Sequence, residues 1–145
     1  MTVPQEVDLP AFPAVARDGG SEAFFDAAAR GELLVQQCSS CATVLPPEAR
    51  TCFSCGSAEL GATVVSGRGS LVSWVVVRQA PIPALKGAVP YVTAVVELDE
   101  GPWLMVRLVG DAEPTVDARV RVDFVRSGTD DQPGEMLPVF RVEGA

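Results

Sequence analysis

The sequence predicts a mainly β protein: an N-terminal helix, a rubredoxin-like ribbon built on four cysteines, then a five-stranded barrel of the OB type. Three observations lead there. All four cysteines, Cys38, Cys41, Cys52 and Cys55, fall as two Cys-x-x-Cys pairs. Beyond Cys55 the chain alternates short runs rich in Val, Leu and aromatics with Gly, Pro and acidic turns, the pattern of successive strands. One short stretch with helical character precedes the cysteines. A length of 145 residues suits two small modules, and the expected division is an arm and helix over 1–35, a ribbon over 36–60 and a barrel over 61–145.

The first twenty residues carry Pro4, Pro10 and Pro13 and end in Gly19-Gly20. Such a composition resists regular structure, so an arm is expected there, mobile unless a partner holds it. A helix is expected over 21–30. Ser21 can cap it, Glu22 and Asp26 lie in its early turns, and Gly31 can end it. Phe24 and Ala28 share a face with Phe25 beside them, which reads first as packing onto the rest of the chain.

Each Cys-x-x-Cys lets two thiolates converge on one ion from a tight turn, and two such turns complete a tetrahedral shell. Zinc is the expected ion, with iron the variant, and two disulfides or four free thiols are the alternatives. The start MTVPQEVDLPAFPAVARDGG shows no basic stretch followed by an apolar run. A reducing, cytoplasmic setting is therefore expected, which argues against disulfides. Four thiolates leave no open coordination position, so this metal is expected to hold structure and not to activate water or substrate.

After the ribbon, strands are expected over 62–65, 71–78, 91–98, 103–108, 119–125 and 138–142. Residues 119–124, Arg-Val-Arg-Val-Asp-Phe, alternate strictly, which places Val120, Val122 and Phe124 on one face. The apolar runs 75–77 and 92–96 are expected to be buried on both sides, where the N-terminal helix or a partner covers the outer face. Gly67 and Gly69 around Arg68 suggest a turn or bulge that bends the first long strand. About five main strands favour a small closed barrel, with a β-sandwich as the competing architecture.

Composition removes several function classes. The apolar runs are only a few residues long, far short of the roughly 20 that span a bilayer, so no membrane segment is expected. Acids outnumber bases 19 to 11 and the net charge is −8, a poor match to a phosphate backbone. A zinc-ribbon/OB module that binds nucleic acid is thus the alternative reading, not the leading one. The sequence has no histidine, which excludes Ser-His and Cys-His nucleophile pairs. With all four thiols on a metal, no cysteine remains to attack a thioester. Glu97, Asp99 and Glu100 before Gly101 read as an acidic hairpin turn, not as a catalytic carboxylate cluster.

An ordered set of short motifs carries a family resemblance. It runs from the Phe24-Phe25 helix through Gly31-x-Leu33 and the two cysteine pairs ending Cys55-Gly56-Ser57. It continues through Ser66-Gly67-x-Gly69, Ser73-Trp74, Pro90-Tyr91-Val92 and Glu97-Leu98 to Leu137-Pro138-x-Phe140. Over about residues 21–142 the chain resembles the zinc-ribbon/OB-fold proteins associated with acyl-CoA metabolism, a family first defined as a domain of unknown function. Ala42 stands where Gly often follows the second cysteine, and Phe25 where Trp is frequent.

The resemblance implies a non-catalytic accessory subunit of a thiolase-superfamily enzyme (a thiolase, thiolase-like aldolase or acyltransferase) in acyl-CoA, lipid or steroid side-chain metabolism. Some relatives work with hydratases. A hetero-oligomer with that enzyme is the expected assembly, with structural zinc in each chain and acyl-CoA as a further ligand. Cationic donors for CoA phosphates would be Arg78, Lys86 and Arg107. Trp74, Tyr91 and Trp103 read as core or interface residues, with adenine stacking as the alternative. Phe24, Phe25, Ile82 and Leu85 offer apolar surface for the partner, while the acidic turn at Asp99-Glu100 is expected to stay in solvent.

Overall fold

The computed structural model describes residues 12–143. Helix α1 spans Glu22–Ala29 and packs against strands β1 (Leu33–Cys38) and β8 (Pro133–Val142). Its buried residues are Phe25, Ala27 and Ala28. Ser21 does not cap the helix with its side chain; its hydroxyl donates instead to Asp18 Oδ1 at 2.8 Å. Gly31, at φ +76°, ends the helix in the left-handed conformation that glycine adopts without a Cβ penalty.

Strand β1 forms the centre of a three-stranded antiparallel sheet, flanked by β2 (Val44–Leu45) and β3 (Leu60–Val65). Alternation along β1 serves two cores. Leu33 and Val35 join the barrel core, while Cys38, on the opposite face, joins a small cluster with Leu45 and Cys52. Because β3 pairs with β1 over Leu60 to Val65, the expected division at residue 61 runs through a strand that hydrogen-bonds with the ribbon.

The barrel comprises β4 (Arg68–Val77), β5 (Tyr91–Leu98), β6 (Trp103–Val109), β7 (Arg119–Gly128) and β8. It closes in the order β4-β5-β6-β8-β7, with β7 returning to β4 and a short parallel contact between β6 and β8. Closure leaves the sandwich alternative without support. Leu71, Val96, Val120 and Phe140 are fully buried inside, and Val122 and Phe124 pack against that core as the alternation of β7 requires. The helix does not supply the expected cover at Val75 and Val76, which are 58% and 41% exposed; it packs on β1 and β8 instead.

Glycine sets two close approaches. A Cβ on Gly69 would collide with the Glu97 carbonyl, so the β4–β5 crossing needs a residue without one. A Cβ on Gly134 would strike Ser127 Oγ and the backbone of Ala14 and Val15. That second site seats the arm. Phe12 accepts from Gly128 N–H, Val15 N–H donates to Ser127 Oγ at 3.0 Å, and Val15 accepts from Glu135 N–H at 2.8 Å. Arg17 then bridges Glu135 and Asp26. The expected mobile arm is therefore held on the β7–β8 hairpin over residues 12–17; its earlier part lies outside the described residues. Among the described residues, no helix is long and apolar enough to cross a membrane.

Candidate metal centre and groove

The two knuckles face each other across the ribbon. Cys38 ends β1 and Cys41 follows it, Cys52 and Cys55 lie in the loop before β3, and their four Sγ atoms all fall within 4.8 Å of one another. Cys38 Sγ lies 3.6 Å from Cys55 Sγ, and Cys41 Sγ lies 3.6 Å from Cys52 Sγ. A zinc–sulfur bond of about 2.3 Å in a tetrahedron separates its sulfurs by about 3.8 Å, so the shell fits zinc. Each knuckle closes through a turn: Ala42 N–H donates to the Cys38 carbonyl at 2.9 Å and Gly56 N–H to the Cys52 carbonyl at 2.8 Å. Both donors sit at left-handed φ, +67° for Ala42 and +80° for Gly56. Ala42 carries a Cβ there, at a cost of roughly 1–2 kcal/mol.

The electrostatics of the shell favour a cation. The Cys41 N–H leads the hydrogen bonds that hold the Cys38 thiol below its ordinary range. Burial pushes Cys52 up, but the N–H groups of Cys55 and Ser54 outweigh it and bring it down to about 6. At Cys55 the Ser57 N–H pulls down, yet sharing protons with Cys38, Cys41 and Cys52 drives it up to about 12. Four thiolates repel one another without a metal; a bound dication reverses that repulsion and takes all four as anions.

A second feature lies on the barrel side. An open groove of about 1130 Å³ runs between α1, ribbon residues 47–50 and the faces of β5, β6 and β8. Phe12, Phe24, Leu33, Leu104, Met105 and Leu137 give it an apolar lining. The Arg107 guanidinium enters it between two rings, 4.7 Å from the Phe12 centroid and 3.9 Å from that of Tyr91. Its Nη1 is buried and has no hydrogen-bond partner among the described residues. Burial lowers the Arg107 pKa from its ordinary value, with Tyr91 opposing.

Of the three cations expected to meet CoA, Arg107 alone lies in this groove. Arg78, just beyond β4, and Lys86, in the 80–90 loop, are exposed near the sheet end where Val77 pairs with Tyr91. Of the expected interface residues, Ile82 is 54% exposed, while Leu85 and Phe24 are partly buried. Phe25 is largely buried, edge-to-face with Phe24 at 5.3 Å, and packs the helix at the wall of the groove. The acidic turn is tied down more than expected: Asp99 pairs with Arg119, and Glu100 Oε2 accepts from Ser66 N–H at 2.8 Å. Sequence reasoning missed Met105, which is 77% exposed beside Arg107. Period-two spacing of Trp103, Met105 and Arg107 was the available signal, and the outward face of β6 was the missing fact.

Residues 25–61 match the family described as "ChsH2, rubredoxin-like zinc ribbon domain", and residues 62–125 match "ChsH2, C-terminal OB-fold domain". A solved structure described as "Ltp2-ChsH2(DUF35) aldolase" is 34% identical, with a TM-score of 0.69, covering 90% of this chain and 98% of that one. The chain belongs to the ChsH2 (DUF35) zinc-ribbon/OB-fold family. A "Probable enoyl-CoA hydratase alpha subunit" of Thermomonospora curvata is 36% identical over 129 residues, 89% of this chain and 39% of that protein. A "DUF35 domain-containing scaffold protein" of Pyrococcus furiosus is 35% identical over 71 residues, 49% of this chain and 51% of its own length. The chain thus spans between two-fifths and half of these curated relatives. A DUF35 protein of Sulfolobus solfataricus, 15% identical with a TM-score of 0.56 and 86% coverage of each chain, shares the fold.

Proposed function

We propose that this chain is a non-catalytic accessory subunit that docks on a thiolase-superfamily enzyme acting on acyl-CoA. The observation that carries the reading is its likeness, over nearly its whole length, to the chain of a complex described as an aldolase. Its chemistry points the same way. The four cysteines close one metal shell and the sequence holds no histidine, so the nucleophile and base for thioester chemistry come from the partner. Cys38, Cys41, Cys52 and Cys55 hold the zinc, which supplies cross-linking of the ribbon.

Docking uses the apolar side chains of Phe24 on the helix and of Ile82 and Leu85 in the 80–90 loop, and exposed apolar surface marks binding sites. Arg78 and Lys86, both exposed by the 80–90 loop, would serve as donors to CoA phosphates once the partner brings the ligand there. The test is turnover of an acyl-CoA by the purified chain alone and after mixing with a thiolase-superfamily enzyme of the same organism. Activity is expected only in the mixture. Turnover by the isolated chain above the uncatalysed background would overturn the accessory reading.

A further inference from the structure

The outer face of β6 presents Trp103, Met105 and Arg107 at every second position. Trp103 is 56% and Met105 77% exposed. The Trp103 indole is already pinned, its Nε1–H donating to Glu97 Oε2 at 2.8 Å. Arg107 is likewise held by the Phe12 and Tyr91 rings. Trp, Met and Arg are residues enriched in the cores of protein interfaces, and rigid anchors lose little entropy on binding. Tyr91 links the row to the end of the 80–90 loop, so the face continues the docking surface proposed above.

Charge singles out one member of the row. Arg17, Arg30, Arg68, Arg119 and Arg141 each meet a carboxylate. Arg107, more enclosed than most of them, has a buried Nη1 without a hydrogen-bond partner among the described residues. A buried unpaired donor is costly, and a charged one more so. The groove also holds Asp18, Glu48 and Arg50, but no salt bridge joins either carboxylate to Arg107 among the described residues, so this clamped cation complements an anion brought from outside. The groove is open along its length and flanked by exposed apolar side chains, a shape that suits a protein segment better than an enclosed small molecule.

We infer that the Trp103–Met105–Arg107 face and the adjoining groove receive a segment of the partner enzyme that carries an Asp or Glu flanked by apolar residues, with its carboxylate seated on Arg107. The inference rests on the accessory reading and adds the recognition chemistry. Planar bidentate pairing explains why arginine stands here, and the Met105 and Trp103 surfaces supply the apolar contact around it.

The test uses the full chain and a thiolase-superfamily enzyme of the same organism, with affinity measured for wild type, Arg107→Met, Arg107→Lys and Met105→Asp. Arg107→Met and Met105→Asp should each weaken binding about thirtyfold or more, the effect of losing a hot-spot side chain. Arg107→Lys should retain part of the affinity, and all variants should keep full zinc. Met105 is exposed, so Met105→Asp remains informative if Arg107→Met disturbs folding. Radical footprinting adds a positional readout: Met105 oxidation should slow in the complex.

Wild-type affinity retained by Arg107→Met and Met105→Asp, with Met105 oxidised at the free rate, would overturn this inference and leave the accessory reading standing. No binding by the wild type would overturn both. Self-association of the chain alone, abolished by Met105→Asp, would reassign the face to a second copy. Loss of affinity for free CoA in Arg107→Met, with partner binding unchanged, would reassign it to a small anion.

Discussion

The ribbon and the barrel are held together by different means. The barrel encloses one continuous apolar cluster that includes Leu71, Val96, Leu98, Val120 and Phe140. The ribbon's own cluster is Cys38, Leu45 and Cys52, with Ala49 and Leu60 beside it, and two of those five are metal ligands. A few dozen residues bury too little apolar surface to offset chain entropy, so metal bonds substitute for a core. Strand β1 joins the two regimes, because Leu33 and Val35 belong to the barrel core and Cys38 to the metal shell.

The largest effect should follow from removing the metal. Binding free energy at a structural zinc site is folding free energy, of order 10–16 kcal/mol at neutral pH. Cys52→Ser or chelation should therefore unfold residues 39–59. The barrel and the β1–β3 pairing, which the core holds through Leu33, Val35 and Val65, should survive. Hydrogen exchange would read this directly: the Cys52 and Gly56 amides, bonded to Ser57 and Cys52, should lose protection while Val96 and Phe140 keep theirs. Simultaneous loss in both regions would make them one cooperative unit and break the comparison.

Phe140→Ala attacks the other region. Truncating a fully buried Phe costs about 3–5 kcal/mol, so the barrel's thermal transition should fall while metal content per folded chain stays at one. A smaller effect, about 1–3 kcal/mol, is expected for Gly134→Ala, which forces its Cβ against Ser127 and the arm. It should raise protease sensitivity within residues 12–17 more than elsewhere.

The smallest effect belongs to Asp123→Asn. Burial pushes the Asp123 pKa up, but the hydrogen bonds from Arg141 Nε and Phe124 N–H prevail and hold it below its ordinary value. A carboxylate with a lowered folded pKa stabilises the fold above its unfolded pKa of about 3.9, and that contribution is lost as pH falls through the lower folded value. The pair is partly exposed, so wild type should exceed Asp123→Asn by less than about 1 kcal/mol at neutral pH. The gap should narrow on acidification below about pH 4. Urea titrations at a series of pH values would measure it.

The metal site was fully legible in the sequence because ligand spacing is a local property: two tight turns must each deliver two thiolates. Barrel strands were legible in kind but short in extent. The strand expected over 138–142 begins at Pro133, which pairs with Gly128 beyond an irregularity in the β7–β8 ladder, where the motif Gln-Pro-Gly reads in the sequence as an ending turn. Burial that depends on a distant element was not legible. The exposure of Val75 and Val76 and the seating of the arm on Gly134 each depend on which chain segment lies opposite. Arg107 was singled out as a cation from the sequence, while its aromatic clamp required the fold to bring Phe12 and Tyr91 together.

Association with the enzyme tests the account most directly. Sedimentation velocity of the zinc-loaded chain mixed with a thiolase-superfamily enzyme of the same organism should give one faster boundary containing both proteins. Ile82→Asp combined with Leu85→Asp should return the chain to its own slow boundary with zinc retained. Two independent boundaries from the wild-type mixture at micromolar concentration would contradict the account.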